Sequence, residues 1–109
     1  MIPVDCVPGS TVGDGLAWSL EDFEVWLDRW IAQEAPDEDL RLVVTAWVLS
    51  RFDDPYAGVR REHGFDNLWF GQVPFSVHNG HQVVVCSYWI FESRRVLRCN
   101  SIATLNLPL

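Results

Sequence analysis

The chain has 109 residues, 49% of them hydrophobic and 21% charged, and a formal net charge of −7. That length suits one domain around a single core, and the composition is too apolar for a disordered chain. A globally acidic protein is not built for indiscriminate nucleic-acid binding, which needs local positive charge against phosphates.

The charge is unevenly spread. Residues 1–54 hold twelve acids against Arg29, Arg41 and Arg51, while residues 55–109 hold Glu62, Asp66 and Glu92 against Arg60, Arg61, Arg94, Arg95 and Arg98. An acidic first half thus precedes a mildly basic second half. Six Trp and six Phe provide a large aromatic supply, with most of the Trp expected in the core and the rest open to partner contact. Cys6, Cys86 and Cys99 have no zinc-like spacing, so no metal site is expected. Cys86 and Cys99 read as small buried hydrophobes that lie close if their strands are neighbours. No P-loop, Gly-rich dinucleotide fingerprint or Ser-His-Asp order is present, and no cofactor is expected. With no basic-then-apolar leader and no run of 18 apolar residues, the chain reads as a soluble cytoplasmic protein with no membrane association.

Residues 1–14 are rich in Pro, Gly and small side chains and read as a loose segment of a single 1–109 domain. A short first strand is expected around Leu16-Ala17-Trp18. Ser19 then reads as the N-cap of a helix whose apolar positions are Leu20, Phe23, Trp26, Leu27, Trp30 and Ile31. Ala35-Pro36 ends it near Glu34. Asp37 or Asp39 caps a second helix, in which Leu40, Val43, Val44, Trp47 and Val48 form one apolar stripe. Leu42, Ala46 and Leu49 add a second stripe, which predicts a helix sandwiched between the first helix and a sheet. Asp53-Asp54-Pro55 stops it, and Tyr56 to Asn67 reads as a loop.

Three strands follow, at Leu68–Val77, Gln82–Phe91 and Arg95–Ala103, with Glu92-Ser93-Arg94 as the second turn. The first turn is marked by Asn79-Gly80, the pair that best tolerates the two positive φ angles of a type I′ hairpin. The middle strand is apolar on both faces, which suggests cover on both sides or a face reserved for a partner. The expected fold is α+β, in the order β-α-α-β-β-β, with two helices on an antiparallel sheet that ends in a three-strand meander.

Two groups of side chains invite a chemical reading. His78 and His81 flank the Asn-Gly turn and would face one another, but two ligands at a solvated tip fit a polar turn better than a metal site. Arg94, Arg95 and Arg98, with Arg60, Arg61 and His63 on the loop before the sheet, form the one cationic cluster. Such a cluster can hold phosphates and stabilise a phosphorane-like transition state, with His63 moving the proton. The plainer reading, which is favoured, is that these residues pair with the acids of the first helix and solubilise a sheet edge. The run Glu34 to Asp39 reads as a solvated interhelical turn with its caps.

Leu16-Ala17-Trp18-Ser19 before the first helix, the helix end at Asp54-Pro55, Leu68-Trp69 opening a strand and Tyr88-Trp89-Ile90 in the central strand together resemble the RelE/ParE toxin superfamily of bacterial toxin–antitoxin modules, over residues 15–105. The resemblance implies the same element order and a protein partner, the cognate antitoxin, that wraps the sheet and helices. Some members cleave mRNA with basic and aromatic residues on the sheet, and others poison DNA gyrase without being nucleases. This chain departs from the nuclease pattern. Val85 stands three residues before Tyr88 where an Arg is common, and Ala103-Thr104 stand where a basic pair is common. Arg98, with Arg94 and Arg95 nearby, is left to stand in.

The leading expectation is therefore a RelE/ParE-like protein of a toxin–antitoxin or related module that acts by protein binding, with catalysis the less favoured reading and Arg60, Arg61, Arg94, Tyr88 and Trp89 as contact residues. One rival is an acidic, Trp-rich inhibitor or immunity-type module. The other is a small endoribonuclease that uses His63, Arg95 and Arg98 on RNA.

Overall fold

The computed structural model describes residues 18–107. Its elements run β1 (Ser19–Glu21), α1 (Phe23–Glu34), α2 (Glu38–Ser50), β2 (Arg60–Arg61), β3 (Leu68–Gln72), β4 (Gln82–Phe91) and β5 (Val96–Asn106), with a 3-10 turn at Glu92–Arg94. The five strands form one sheet in the order β1-β5-β4-β3-β2. Both helices lie on one of its faces, so the expected α+β layout is the observed one. The loose segment 1–14, Cys6 and the Leu16-Ala17 part of the expected first strand lie outside the described residues.

The first helix begins differently from expectation. Ser19 is in β1, which pairs in parallel with Val96–Arg98, so it is drawn away from the capping position. Asp22 takes that place with φ at 67° and no side-chain cap. Trp18, just before β1, is buried without being part of a strand. At the other end Ala35 turns left-handed and its N–H donates to the Ile31 carbonyl before Pro36. In α2 it is Asp37 that caps, its carboxylate accepting the Leu40 N–H at 2.8 Å.

Leu40, Val44, Trp47 and Val48 are buried along α2 as their spacing requires. The second stripe is not: Leu42 is 61% exposed and Leu49 55% exposed. The helices lie side by side as a single layer, so α2 has one covered face rather than two. The predicted loop at Tyr56–Asn67 also contains a strand, because Arg60 and Arg61 pair with Phe70 and Trp69. The expected strand Leu68–Val77 ends at Gln72, since Pro74 cannot donate to a ladder. The last strand runs on to Asn106 rather than stopping at Ala103.

The Asn79-Gly80 turn has φ of 51° and 78°, as its type demands. His78 pairs with Gln82 across it, not with His81. On β4 the side chains of Val84, Cys86, Tyr88 and Ile90 point toward the helices and are buried. They meet Phe23, Trp30, Val44, Trp47 and Leu97 in one core. Trp30 also donates its indole N–H to Thr104 on β5 at 2.9 Å, which ties α1 to the sheet.

Cys86 and Cys99 are free and buried. Burial, reinforced by its contact with Cys99, holds the Cys86 thiol well above its usual range.

A buried cation sits within this core. Arg51 follows the last residue of α2 and is 3% exposed. Its Nη1 donates to the Ala57 carbonyl at 2.7 Å and to the Tyr88 hydroxyl at 3.2 Å, and its Nη2 donates to Ser50. The guanidinium lies 4.1 Å from the centre of the Trp47 ring. The Tyr88 hydroxyl in turn donates to the Pro55 carbonyl. A loop carbonyl, two hydroxyls and a π-face thus stabilise the charge in place of a carboxylate.

Three outcomes test this account. Arg51→Ala leaves the Ala57 carbonyl and the Tyr88 hydroxyl short of a partner, and should cost about 3 kcal/mol in a urea unfolding series. At Gly71 an added Cβ would stand 2.7 Å from the Gly58 carbonyl oxygen and 2.9 Å from a Val59 methyl. Gly71→Ala should therefore destabilise by roughly 1–3 kcal/mol, because the chain crossing into β2 must move. Tyr88 is pushed up to about 12 by burial, against the opposing pull of Arg51, and Tyr56 is pushed up to about 12 by partial burial and then by its bond to Glu92. These are the chain's two tyrosines, so the folded protein should show no phenolate absorbance at pH 10. Each neutral phenol favours the fold, fully so below its unfolded pKa near 10, and that stability should vanish between pH 10 and 12.

Candidate functional site

Paired residues in a ladder point to the same face, so the register defines what the outer face of the sheet presents. One row runs from Glu21 through Arg98 and Trp89 to Leu68. The next holds Ser101, Ser87, Phe70 and Arg60, and a third holds Ala103, Val85 and Gln72. A register shift at Ser87/Tyr88 makes Asn100 an extra residue on β5, and its side-chain amide donates to the Ser87 hydroxyl at 3.0 Å. Ser87 and Ser101 share a further hydrogen bond of 2.8 Å. Beside them lies a shallow hollow of about 620 Å³, lined by Arg60, Phe70, Gln72, Val85, Ser87 and Ser101 among others.

The arginines read as one cluster are dispersed. Arg98 donates twice to the same Glu21 carboxylate oxygen, at 3.1 and 3.0 Å, and lies 5.4 Å from the Phe91 ring centre. Arg94 lies 4.7 Å from that same ring. Arg95, left-handed at φ 55°, instead lies over Trp18, where Tyr56 packs edge-on and donates to Glu92. Arg60 is over Phe70 in the hollow, and Arg61 is opposite Trp69 on the helix side. His63 is exposed on the loop after β2, its backbone N–H bonded to Glu62, and no hydrogen bond links its ring to an arginine among the described residues.

Arg98 and Arg94 therefore share Phe91, while Arg95, Arg60, Arg61 and His63 each occupy separate surroundings. Tyr88 has no exposed surface at all. It faces Phe23 and Trp47 at ring distances of 5.8 and 6.3 Å, so its position is that of a core residue. Trp89 does reach the outer face, half-buried beneath Phe65 in an edge-on contact. His78 and His81 each bond a nearby backbone carbonyl through Nδ1, at 2.8 Å to Ser76 and to Asn79. Among the described residues no group of three or more His, Cys, Asp or Glu is placed to hold a metal ion. No helix there is long and apolar enough to cross a membrane.

Two apolar surfaces on the helical side were not anticipated from the sequence. A groove of about 400 Å³ between α1 and α2 is lined by Phe23, Leu27, Ile31, Val48, Leu49 and Phe52, with Glu24 and Asp28 at its edge. The connection between β3 and β4 projects Phe75, 92% exposed. Each comes from residues that spacing alone had placed in the core or in a strand.

No family model matches the sequence, and no curated protein matches it. Among solved structures, the fold is similar to that of the E. coli toxin RelE, determined in the free state as a double arginine-to-alanine mutant. The TM-score is 0.54 at 13% identity, over 81% of this chain and 83% of that one. At such identity the likeness is one of architecture: this chain has a RelE-like fold.

Proposed function

We propose that the protein is a RelE-like member of a bacterial toxin–antitoxin or related module, that it acts by binding a protein, and that it does not cleave RNA. The observation that carries this reading is the chemistry of the outer sheet face. Cleaving a phosphodiester by general acid–base catalysis requires a titratable group and a cation held together at one phosphate. Here one row is Ala103, Val85 and Gln72, and the middle row carries Arg60 beside Ser101, Ser87 and Phe70 with no titratable partner. Arg98 is paired with Glu21, Arg60 stands three strands away from it, and His63 is off the sheet. The exposed apolar groove of the helices gives a binding protein its contact area instead.

A second reading is favoured by a different observation. Glu24, Asp28, Glu34, Glu38 and Asp39 are all exposed on or beside the helices, an acidic surface suited to an inhibitor that covers a basic enzyme.

Expression separates these readings. The protein produced alone should slow growth, and co-expression of the neighbouring gene's product should relieve it. Purified protein should leave RNA intact with and without ribosomes. Cleavage that disappears in Arg98→Ala would instead establish the endoribonuclease. If expression alone is harmless and protects against the neighbour's product, the inhibitor reading holds.

A further inference from the structure

The connection between β3 and β4 is built to hold an aromatic side chain in solvent. Phe75 has φ at 64°, a left-handed conformation that a bulky residue adopts only under constraint. The next residue supplies that constraint. Ser76 is fully buried, its hydroxyl donating to the Val73 carbonyl at 2.6 Å and accepting the Val84 N–H at 3.1 Å. The backbone is clamped on both sides of Phe75 while its ring remains 92% exposed.

Two small hollows adjoin this knob. One, of about 180 Å³, is lined by Leu40, Val43, Phe75 and Val77 with Asp37 and Asp39 at its edge. The other, of about 170 Å³, brings Glu34 and Asp37 beside His78 and Gln82. Both include Asp37, Leu40 and His78, so an apolar recess and an acidic recess stand side by side. We infer that the Phe75 knob and these paired recesses form a docking site for a protein segment that carries a bulky apolar side chain next to an Arg or Lys.

Charge decides the occupant. Glu34, Asp37 and Asp39 line the site, which repels acidic peptides and anionic membrane surfaces and attracts a basic segment. A two-fold dimer of this chain through Phe75 would set two such acidic turns against each other. Each recess is also smaller than the roughly 300 Å³ at which small-molecule pockets begin. The inference deepens the proposed function and rests on its premise of a protein partner.

The test uses the full chain, isotope-labelled, and a synthetic amphipathic helix with a Leu face flanked by Arg, together with a counterpart carrying Glu for Arg. The Arg peptide should shift the resonances of Leu40, Val43, Phe75 and Val77, and the Glu peptide should not. Phe75→Asn keeps a residue that tolerates the left-handed turn, so melting should be unchanged while the Kd rises about tenfold or more. Asp39→Asn should weaken binding and its salt dependence. Shifts centred on the α1–α2 groove or on the outer sheet face, or undiminished binding by Phe75→Asn, overturn the inference. Titration of the neighbouring gene's purified product separates the two claims. If that product binds Phe75→Asn as well as the native protein, this site falls and the binding reading stands. If it binds neither, the binding reading falls and the peptide shifts alone decide the site.

Discussion

A guanidinium with almost no access to water organises the interior of this protein. Arg51 ends α2, and its hydrogen bonds run to the Ala57 carbonyl and to Tyr88 at the middle of the sheet. An unpaired charge in such a place would be prohibitive, so the loop after α2 must supply a carbonyl at a fixed position. That fixes Pro55, whose carbonyl accepts from Tyr88, and Ala57. The chain then crosses Gly71 at a separation that admits no Cβ, and β2 is delivered to the edge of β3. Helix, loop, central strand and edge strand therefore share one requirement.

The same arrangement shapes the surface. Burying Arg51 removes one of only three cations available to residues 1–54, and Arg29 is drawn over Trp26 at 4.6 Å. The acids on α1, α2 and the turn between them are left with little local compensation, so the helical side presents a negative field. Arg98 meets Glu21 across a parallel pairing, and Arg60, Arg94 and Arg95 lie over aromatic rings. The cations are used to cover apolar surface more than to collect an anion. The proposed protein-binding role rests on these surfaces.

Local signals in the sequence were strong wherever neighbouring residues determine the outcome. Asn79-Gly80 marked its turn, β4 was bounded correctly at Gln82 and Phe91, and Asp37 was one of two candidates that proved to cap α2. Long-range constraints were invisible. Ser19 resembles a helix cap until β5 claims it through a parallel ladder. Arg60-Arg61 has no strand pattern and becomes a strand only because β3 is beside it. Leu42 and Leu49 resemble a core stripe because spacing does not say how many layers will pack. Arg51 enters the sequence reading only as one of the charges of residues 1–54, since nothing nearby in sequence reveals that Tyr88, 37 positions on, waits for its proton. For the candidate site, the sequence names the residues and suggests one cluster, but their dispersal over β2, the loop after it, the 3-10 turn and β5 depends on register.

Register also explains how Arg98 comes to face outward. At the Gln82 end of the hairpin, Cys86 pairs with Ile102 and Ser87 with Ser101. Were that register continued, Arg98 would pair with Ile90 and enter the core, while Leu97 and Cys99 would turn to solvent, because a one-residue slip exchanges the faces of a strand. The extra residue Asn100 reverses this. Beyond it Tyr88 pairs with Cys99 and Trp89 with Arg98, so Leu97 and Cys99 are buried and the guanidinium reaches Glu21. Asn100 is in turn held by Ser87 on the opposite strand, which stabilises the bulge where it forms. A single inserted position therefore determines both the lower part of the core and the charge of the outer face. The sheet could not have kept Leu97 inside and Arg98 outside without it.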